Sequence, residues 1–144
     1  MIVFWDTSAF VPLIMKESAT PSALRLWTKA DRVVASRLMY VEAVAALAMA
    51  RRMGRIGSRT HRTARRAVDR LHGSVDCVEV SESLIRRATS LSEQLNLRGY
   101  EAVHCASAET LADDDLIVAS GDRALLEACK TLGLNVAPMP LGNR

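Results

Sequence analysis

Ile2-Val3-Phe4-Trp5-Asp6-Thr7-Ser8-Ala9-Phe10 is the stretch on which the fold turns. An apolar run of aliphatic and aromatic residues leads straight into a carboxylate and two hydroxyls. A run of this length reads as a short buried strand that delivers Asp6 at its C-terminal end. In open α/β sheets that edge is where ligands bind. One carboxylate makes no chemistry, so the question is which other acids arrive at the same edge.

Outward from this strand, helix-like and strand-like segments alternate. Thr20-Pro21 pairs an N-cap with proline at the first helical position and predicts a helix to about Ala30. Val33-Val34-Ala35 predicts a second strand. An Ala/Met/Leu-rich helix follows over 37–53 and stops at Gly54. Residues 59–72 form a basic amphipathic helix with Ala64, Ala67, Val68 and Leu71 on its apolar face. Val75–Val80 predicts a third strand, and Ser81 caps a helix over 82–95. Tyr100–Ala112 reads as a helix, Leu116–Ala119 as a fourth strand and Asp122–Leu132 as a helix ended by Gly133, with a short last strand around Val136. Strands joined by helical crossovers imply an α/β fold: a three-layer α/β/α sandwich with a central, mostly parallel sheet of four or five strands. No repeat or linker interrupts the 144 residues, so one domain, 1–144, is expected.

The bulk properties narrow the setting. Net charge is only +3, but 16 of the 19 basic residues are arginine, the residue suited to bidentate contact with phosphate or carboxylate. Cys77, Cys105 and Cys129 are odd in number and form no CxxC pair, which points to a reduced, cytoplasmic setting with thiols used as small core hydrophobes. The first apolar run stops at Asp6 and has no basic segment before it, so no signal peptide is expected. The uncharged stretches Thr7–Met15 and Ala43–Ala50 are too short to span a bilayer, and no membrane association is expected.

Three more acids stand out by context. Glu42 interrupts the apolar helical run Met39–Leu47, Glu101 heads the apolar helix Tyr100–Ala106, and Asp122 follows the strand Leu116–Ala119 after Ser120-Gly121. Each has a plain structural account: acids in the first helical turn oppose the macrodipole, and Glu42 can pair with an arginine or face solvent. Taken together, two exit parallel strands and two lie on helices that pack on the same sheet. Four carboxylates in one pocket would hold protons unless a cation neutralised them. An oxygen-only ligand set selects a hard divalent ion, Mg²⁺ or Mn²⁺. Such a site polarises a phosphoryl oxygen and generates hydroxide from water near neutral pH, which is the chemistry of phosphodiester hydrolysis. Thr7 and Ser8 are placed to hold a water or a phosphate oxygen.

The ordered set Val3–Ala9, Val41-Glu42-Ala43, Leu97–His104 and Ser120–Leu125 resembles the PIN-domain family, and within it the VapC toxins of toxin–antitoxin modules. The likeness runs from residue 2 to about 137. It implies an Mg²⁺- or Mn²⁺-dependent endoribonuclease in which Asp6, Glu42, Glu101 and Asp122 are the catalytic and metal-holding acids. It also implies a homodimer, an RNA substrate and an inhibitory VapB-type antitoxin. One position departs from the pattern, because the family usually carries Asp where this chain has Glu101. The departure fits a ligand accommodated by a shifted helix, a naturally weakened site, or a change introduced so that a toxic protein could be produced.

Arg98 and Arg123 each neighbour one of the four acids and are candidates either for phosphate contact or for pairing with a carboxylate. Arg51, Arg52 and Arg55 begin a basic stretch that continues through Arg59, Arg62, Arg65, Arg66 and Arg70. It is a candidate RNA surface, or else a solvated face or a surface for an acidic protein. His104, three residues past Glu101, reads as a packed core histidine. A nucleophilic-Asp phosphotransferase requires a second Asp two residues after the first, and that position is Ser8. The alternative to the nuclease is a PIN domain with a weakened site that acts as an RNA-binding or protein-interaction module.

Overall fold

Five strands form one sheet in the computed structural model, which describes residues 1–140. They are β1 (Ile2–Trp5), β2 (Arg32–Ser36), β3 (Asp76–Val78), β4 (Leu116–Ser120) and β5 (Asn135–Pro138). Their order is β3-β2-β1-β4-β5, and every adjacent pair is parallel. Among the described residues the helices are α1 (Thr7–Ile14), α2 (Thr20–Lys29), α3 (Leu38–Arg52), α4 (Ser58–His72), α5 (Glu82–Leu95), α6 (Gly99–Glu109) and α7 (Arg123–Thr131).

The first strand shows how the layers arise. Side chains alternate across a sheet, so Val3 and Trp5 point to one face and Phe4 to the other. Val3 and Trp5 join a core built with Phe10, Met39, Leu47 and Val68 from α1, α3 and α4. Phe4 joins a second core with Leu84, Leu91, Val103 and Leu125 from α5, α6 and α7. The sheet is therefore sandwiched between α1–α4 and α5–α7, the expected α/β/α arrangement.

Strand order positions the site. The chain builds from β1 outward through β2 to β3, then crosses to the other side of β1 to add β4 and β5. The winding reverses between β1 and β4, and such a switch point opens a crevice at the carboxyl ends of the strands. Trp5 pairs with Ala119, and the Asp6 N–H donates to the Ala119 carbonyl at 3.0 Å. This register sets Asp6 level with Ser120 and Asp122.

Several local expectations meet their physical causes. The Ser81 hydroxyl accepts from the Leu84 N–H at 3.2 Å and caps α5. Gly54 and Gly133 take positive φ of 72° and 80° just past α3 and α7, a backbone region that glycine enters without steric cost.

Others are corrected. Thr7–Ile14, read only as an uncharged stretch, is a helix; Ala9, Phe10, Val11, Pro12 and Ile14 are all buried, so it has no broad polar face to reveal its period. Thr20 is not the N-cap of α2 but its first residue. Its hydroxyl accepts from the Glu17 N–H at 2.9 Å and donates to the Pro12 carbonyl at 2.6 Å, tying α2 to α1. β3 is shorter than Val75–Val80, and α6 ends at Glu109 rather than Ala112. Cys105 and Cys129 are buried as expected, but Cys77 is only half-buried, with its sulfur 3.4 Å from His72 Nε2.

Candidate active site

Asp6 leaves β1 in extended conformation and precedes the first residue of α1. Its Oδ2 accepts two hydroxyls, from Ser8 at 2.5 Å and Ser120 at 2.9 Å. Ser8 in turn accepts the Gly121 N–H at 2.8 Å, and Ser120 accepts the Asp122 N–H at 2.9 Å. The two strand ends are thus laced together beneath the acids. Asp122 Oδ1 caps α7 by accepting the Leu125 N–H at 3.1 Å.

The third acid comes from α3. Glu42 Oε1 accepts the Thr7 hydroxyl at 3.0 Å and lies 2.6 Å from His104 Nε2. His104 is fully buried on α6, packed edge-on against Phe4, and its Nδ1 stands 3.7 Å from Asp6 Oδ1 with no hydrogen-bond partner among the described residues. Burial disfavours the imidazolium, but the hydrogen bond to Glu42 and the fields of Asp6, Glu42 and Asp122 outweigh it. The ring therefore keeps its proton to higher pH than the ordinary 6.5. One buried imidazole thus feels three of the four acids.

Glu101, the fourth, is buried one helical turn before His104. Its Oε2 accepts the Arg98 N–H at 2.8 Å, the glutamate half of a capping box; an arginine side chain cannot accept the reciprocal bond. Its Oε1 is 3.6 Å from Arg98 Nε. Arg98 is largely exposed and lies over the Tyr100 ring at 6.0 Å, and Arg123 is exposed at the start of α7.

Among the described residues each acid keeps one oxygen free of hydrogen bonds: Asp6 Oδ1, Glu42 Oε2, Glu101 Oε1 and Asp122 Oδ2. An all-carboxylate donor set with free oxygens fits a hard divalent cation. As the side chains stand, no three acidic, histidine or cysteine groups among the described residues are close enough to share an ion. Thr7 and Ser8, read as water or phosphate contacts, spend their hydroxyl protons on Glu42 and Asp6. Ser120, passed over as a small spacer residue, connects Asp6 and Asp122; its place between a strand and an acid was the available signal. Arg51, Arg52 and Arg55 lie at the far end of α3 and the turn after it, away from the acids.

The PIN-domain family model matches residues 3–131. The chain belongs to the PIN-domain family. It is 36% identical over 140 residues to Ribonuclease VapC45 of Mycobacterium tuberculosis, covering 97% of each chain. The PIN fold is shared with VapC20 of Mycobacterium tuberculosis, a sarcin–ricin loop cleaving toxin, at a TM-score of 0.68 and 21% identity, over 88% of this chain and 94% of that one. A toxin–antitoxin complex from Klebsiella pneumoniae matches with a TM-score of 0.67 and 13% identity, over 97% and 99% of the two chains. At such identities these structures establish the fold. No helix among the described residues of this PIN domain is long and apolar enough to cross a membrane.

Proposed function

We propose that this PIN domain is a VapC-type endoribonuclease, the toxin of a toxin–antitoxin pair, which hydrolyses RNA phosphodiester bonds with Mg²⁺ or Mn²⁺. The observation that carries the reading is the meeting of three acids at the switch point of the sheet: Asp6 and Glu42 flank one buried imidazole, and Ser120 joins Asp6 to Asp122. The relative named a ribonuclease, matched over nearly the whole chain, supports RNA as substrate. The Klebsiella toxin–antitoxin complex supports a VapB-type antitoxin as partner. A homodimer and a cytoplasmic location belong to the same reading.

In this reading Asp6, Glu42, Glu101 and Asp122 are the residues that would hold the ion. When bound, the ion polarises the phosphoryl group and supplies a nucleophile from water near neutral pH. The chain's own residues orient the acids. Ser8 and Ser120 fix Asp6 through Oδ2, Thr7 and His104 fix Glu42 through Oε1, and the Leu125 N–H fixes Asp122. α1 and α7 both begin at the crevice, so two helix N-termini offer favourable potential to an RNA phosphate. Arg98 and Arg123, exposed beside the acids, supply phosphate contacts at the rim.

A second reading, a PIN domain with a weakened site acting as a binding module, draws on the commitment of Glu101 to the Arg98 N–H. One assay separates the two: RNA cleavage with Mg²⁺ and with Mn²⁺ by the wild type, Asp6→Asn and Glu101→Asp. The nuclease reading expects cleavage by the wild type and its loss in Asp6→Asn. Cleavage by Glu101→Asp alone means an attenuated site, and no cleavage by either protein with either ion overturns the proposal.

A further inference from the structure

Six arginines, Arg52, Arg55, Arg59, Arg62, Arg66 and Arg70, are exposed and have no acidic partner among the described residues. Two others in the same interval are engaged. Arg51 reaches the Ser58 hydroxyl at 3.1 Å across the turn. Arg65 binds Asp69 at 2.8 Å and the Tyr40 hydroxyl at 3.0 Å, with its guanidinium 5.6 Å from the centre of the Tyr40 ring. Asp69, the sole acid between residues 51 and 72, is thereby occupied.

Solvated helix faces ordinarily intersperse both signs of charge. Here Arg59, Arg62, Arg66 and Arg70 step by three or four residues along α4, which sets like charges side by side about 5–6 Å apart and destabilises the helix. Arg59 also lies in the first turn, where α4 has no acid to oppose the macrodipole. A polyanion relieves both penalties. The regular step suits successive phosphates of one nucleic-acid strand, and the row itself, Arg59, Arg62, Arg66 and Arg70, includes no aromatic platform for base stacking.

The row also leads toward the acids. The Tyr40 hydroxyl donates to Asp69 at 2.6 Å, the Tyr40 ring lies 4.8 Å from His72, and Tyr40 precedes Glu42 by two residues on α3. The Arg70 end of the row is therefore anchored beside the turn of α3 that carries Glu42. From Arg70 to Arg59 it extends about 16 Å away, toward the turn after α3. We infer that the Arg59–Arg62–Arg66–Arg70 row, with Arg52 and Arg55 beyond it, binds the phosphate backbone of the RNA substrate away from the bond that is cut. The inference rests on the ribonuclease reading for the identity of its polyanion.

The test is the triple variant Arg59→Gln, Arg62→Gln, Arg66→Gln, which removes charge while keeping good helix formers. Binding is measured in an Asp6→Asn background with a labelled single-stranded RNA and a labelled RNA hairpin, as a function of salt. If all six arginines contact phosphates, affinity for the single strand falls roughly 300-fold between about 50 and 200 mM salt, against roughly 20-fold for the triple variant. A larger change in slope on the hairpin assigns the row to a duplex arm. With Asp6 intact, the triple variant raises KM for long RNA and cuts an oligonucleotide too short to reach α4 as well as the wild type does. Its melting temperature equals or exceeds that of the wild type. Unchanged affinity and salt slope overturn the inference and leave the face to an acidic protein. Failure of the wild type to cut any RNA strikes the ribonuclease reading separately, because the binding titration needs no cleavage.

Discussion

Replacing Ser120 by alanine tests whether the lacing beneath the acids holds them. The Ser120 hydroxyl is fully buried; it donates to Asp6 Oδ2 and accepts the Asp122 N–H, each at 2.9 Å. A hydrogen bond to a charged group contributes about 1.5–3 kcal/mol, and the low end applies because Ser8 still serves Asp6 Oδ2. The orphaned Asp122 N–H adds about 1 kcal/mol, since Asp122 is half-buried and water can replace part of the loss. The sum, about 2.5 kcal/mol, corresponds to a fall of roughly 8 °C in melting temperature for a chain of this size. The assay is thermal unfolding in chelator at neutral pH, with Ser90→Ala as control. Ser90 is exposed and makes one long bond, 3.3 Å, to the Arg86 carbonyl. Ser8→Ala shares the acceptor Asp6 Oδ2, so the double variant should depart from additivity by about 0.5–3 kcal/mol. Loosened acids also cost catalysis: kcat should fall up to about 100-fold, with KM little changed. A Ser120→Ala protein that melts within about 1 °C of the wild type and cuts RNA at its rate would refute the reasoning.

Glu101→Gln keeps an acceptor for the Arg98 N–H, so its unfolding free energy should stay within about 0.5 kcal/mol of wild type, while Glu101→Ala loses about 1 kcal/mol in a urea titration. RNA cleavage by Glu101→Gln should drop sharply; wild-type cleavage would reduce Glu101 to a helix cap. His104 has a raised pKa in the fold, so its stabilising contribution to the metal-free chain is complete below about pH 6.5 and is lost as pH rises through the raised value. Urea midpoints against pH should show that decline in the wild type and a flatter curve in His104→Gln. His72 acts in the opposite sense: burial and Arg37 depress its pKa, so stability is lost as pH falls from 6.5 through the lowered value, and His72→Gln should remove that acid-side loss. Leu91→Ala, in the core of α5–α7, should cost about 2–5 kcal/mol in the same titration, whereas Leu24→Ala, half exposed on α2, should cost under about 0.5 kcal/mol.

Much of this fold is legible where one segment carries its own signal. The run Ile2–Trp5 ending in Asp6 identifies β1, and Ser81 and the glycines after α3 and α7 mark helix ends through local hydrogen bonding and backbone freedom. α1 escaped because burial of most of its residues erases the polar face from which helical period is read. Thr20 misled because its hydroxyl, suited to accept a helix N–H, accepts the Glu17 N–H instead and donates to the Pro12 carbonyl on a neighbouring helix. The acids Asp6, Glu42, Glu101 and Asp122 were legible as carboxylates out of place in apolar company. The serines and the histidine that hold them were not, because a buried hydroxyl or imidazole looks the same in sequence whether it packs or positions.

The sequence by itself determined the alternation of strands and helices, the delivery of Asp6 and Asp122 at strand ends, and a helix carrying arginines in excess of its acids. All of these depend on neighbours along the chain. The tertiary structure alone decided that β1 and β4 are adjacent, that Ser120 links Asp6 to Asp122, that His104 gathers Glu42 and Asp6, and that Arg65 is spent on Tyr40 while the α4 row meets no acid among the described residues. These are contacts across 25 to 114 residues of chain. They are set by strand order and register, which no local pattern encodes.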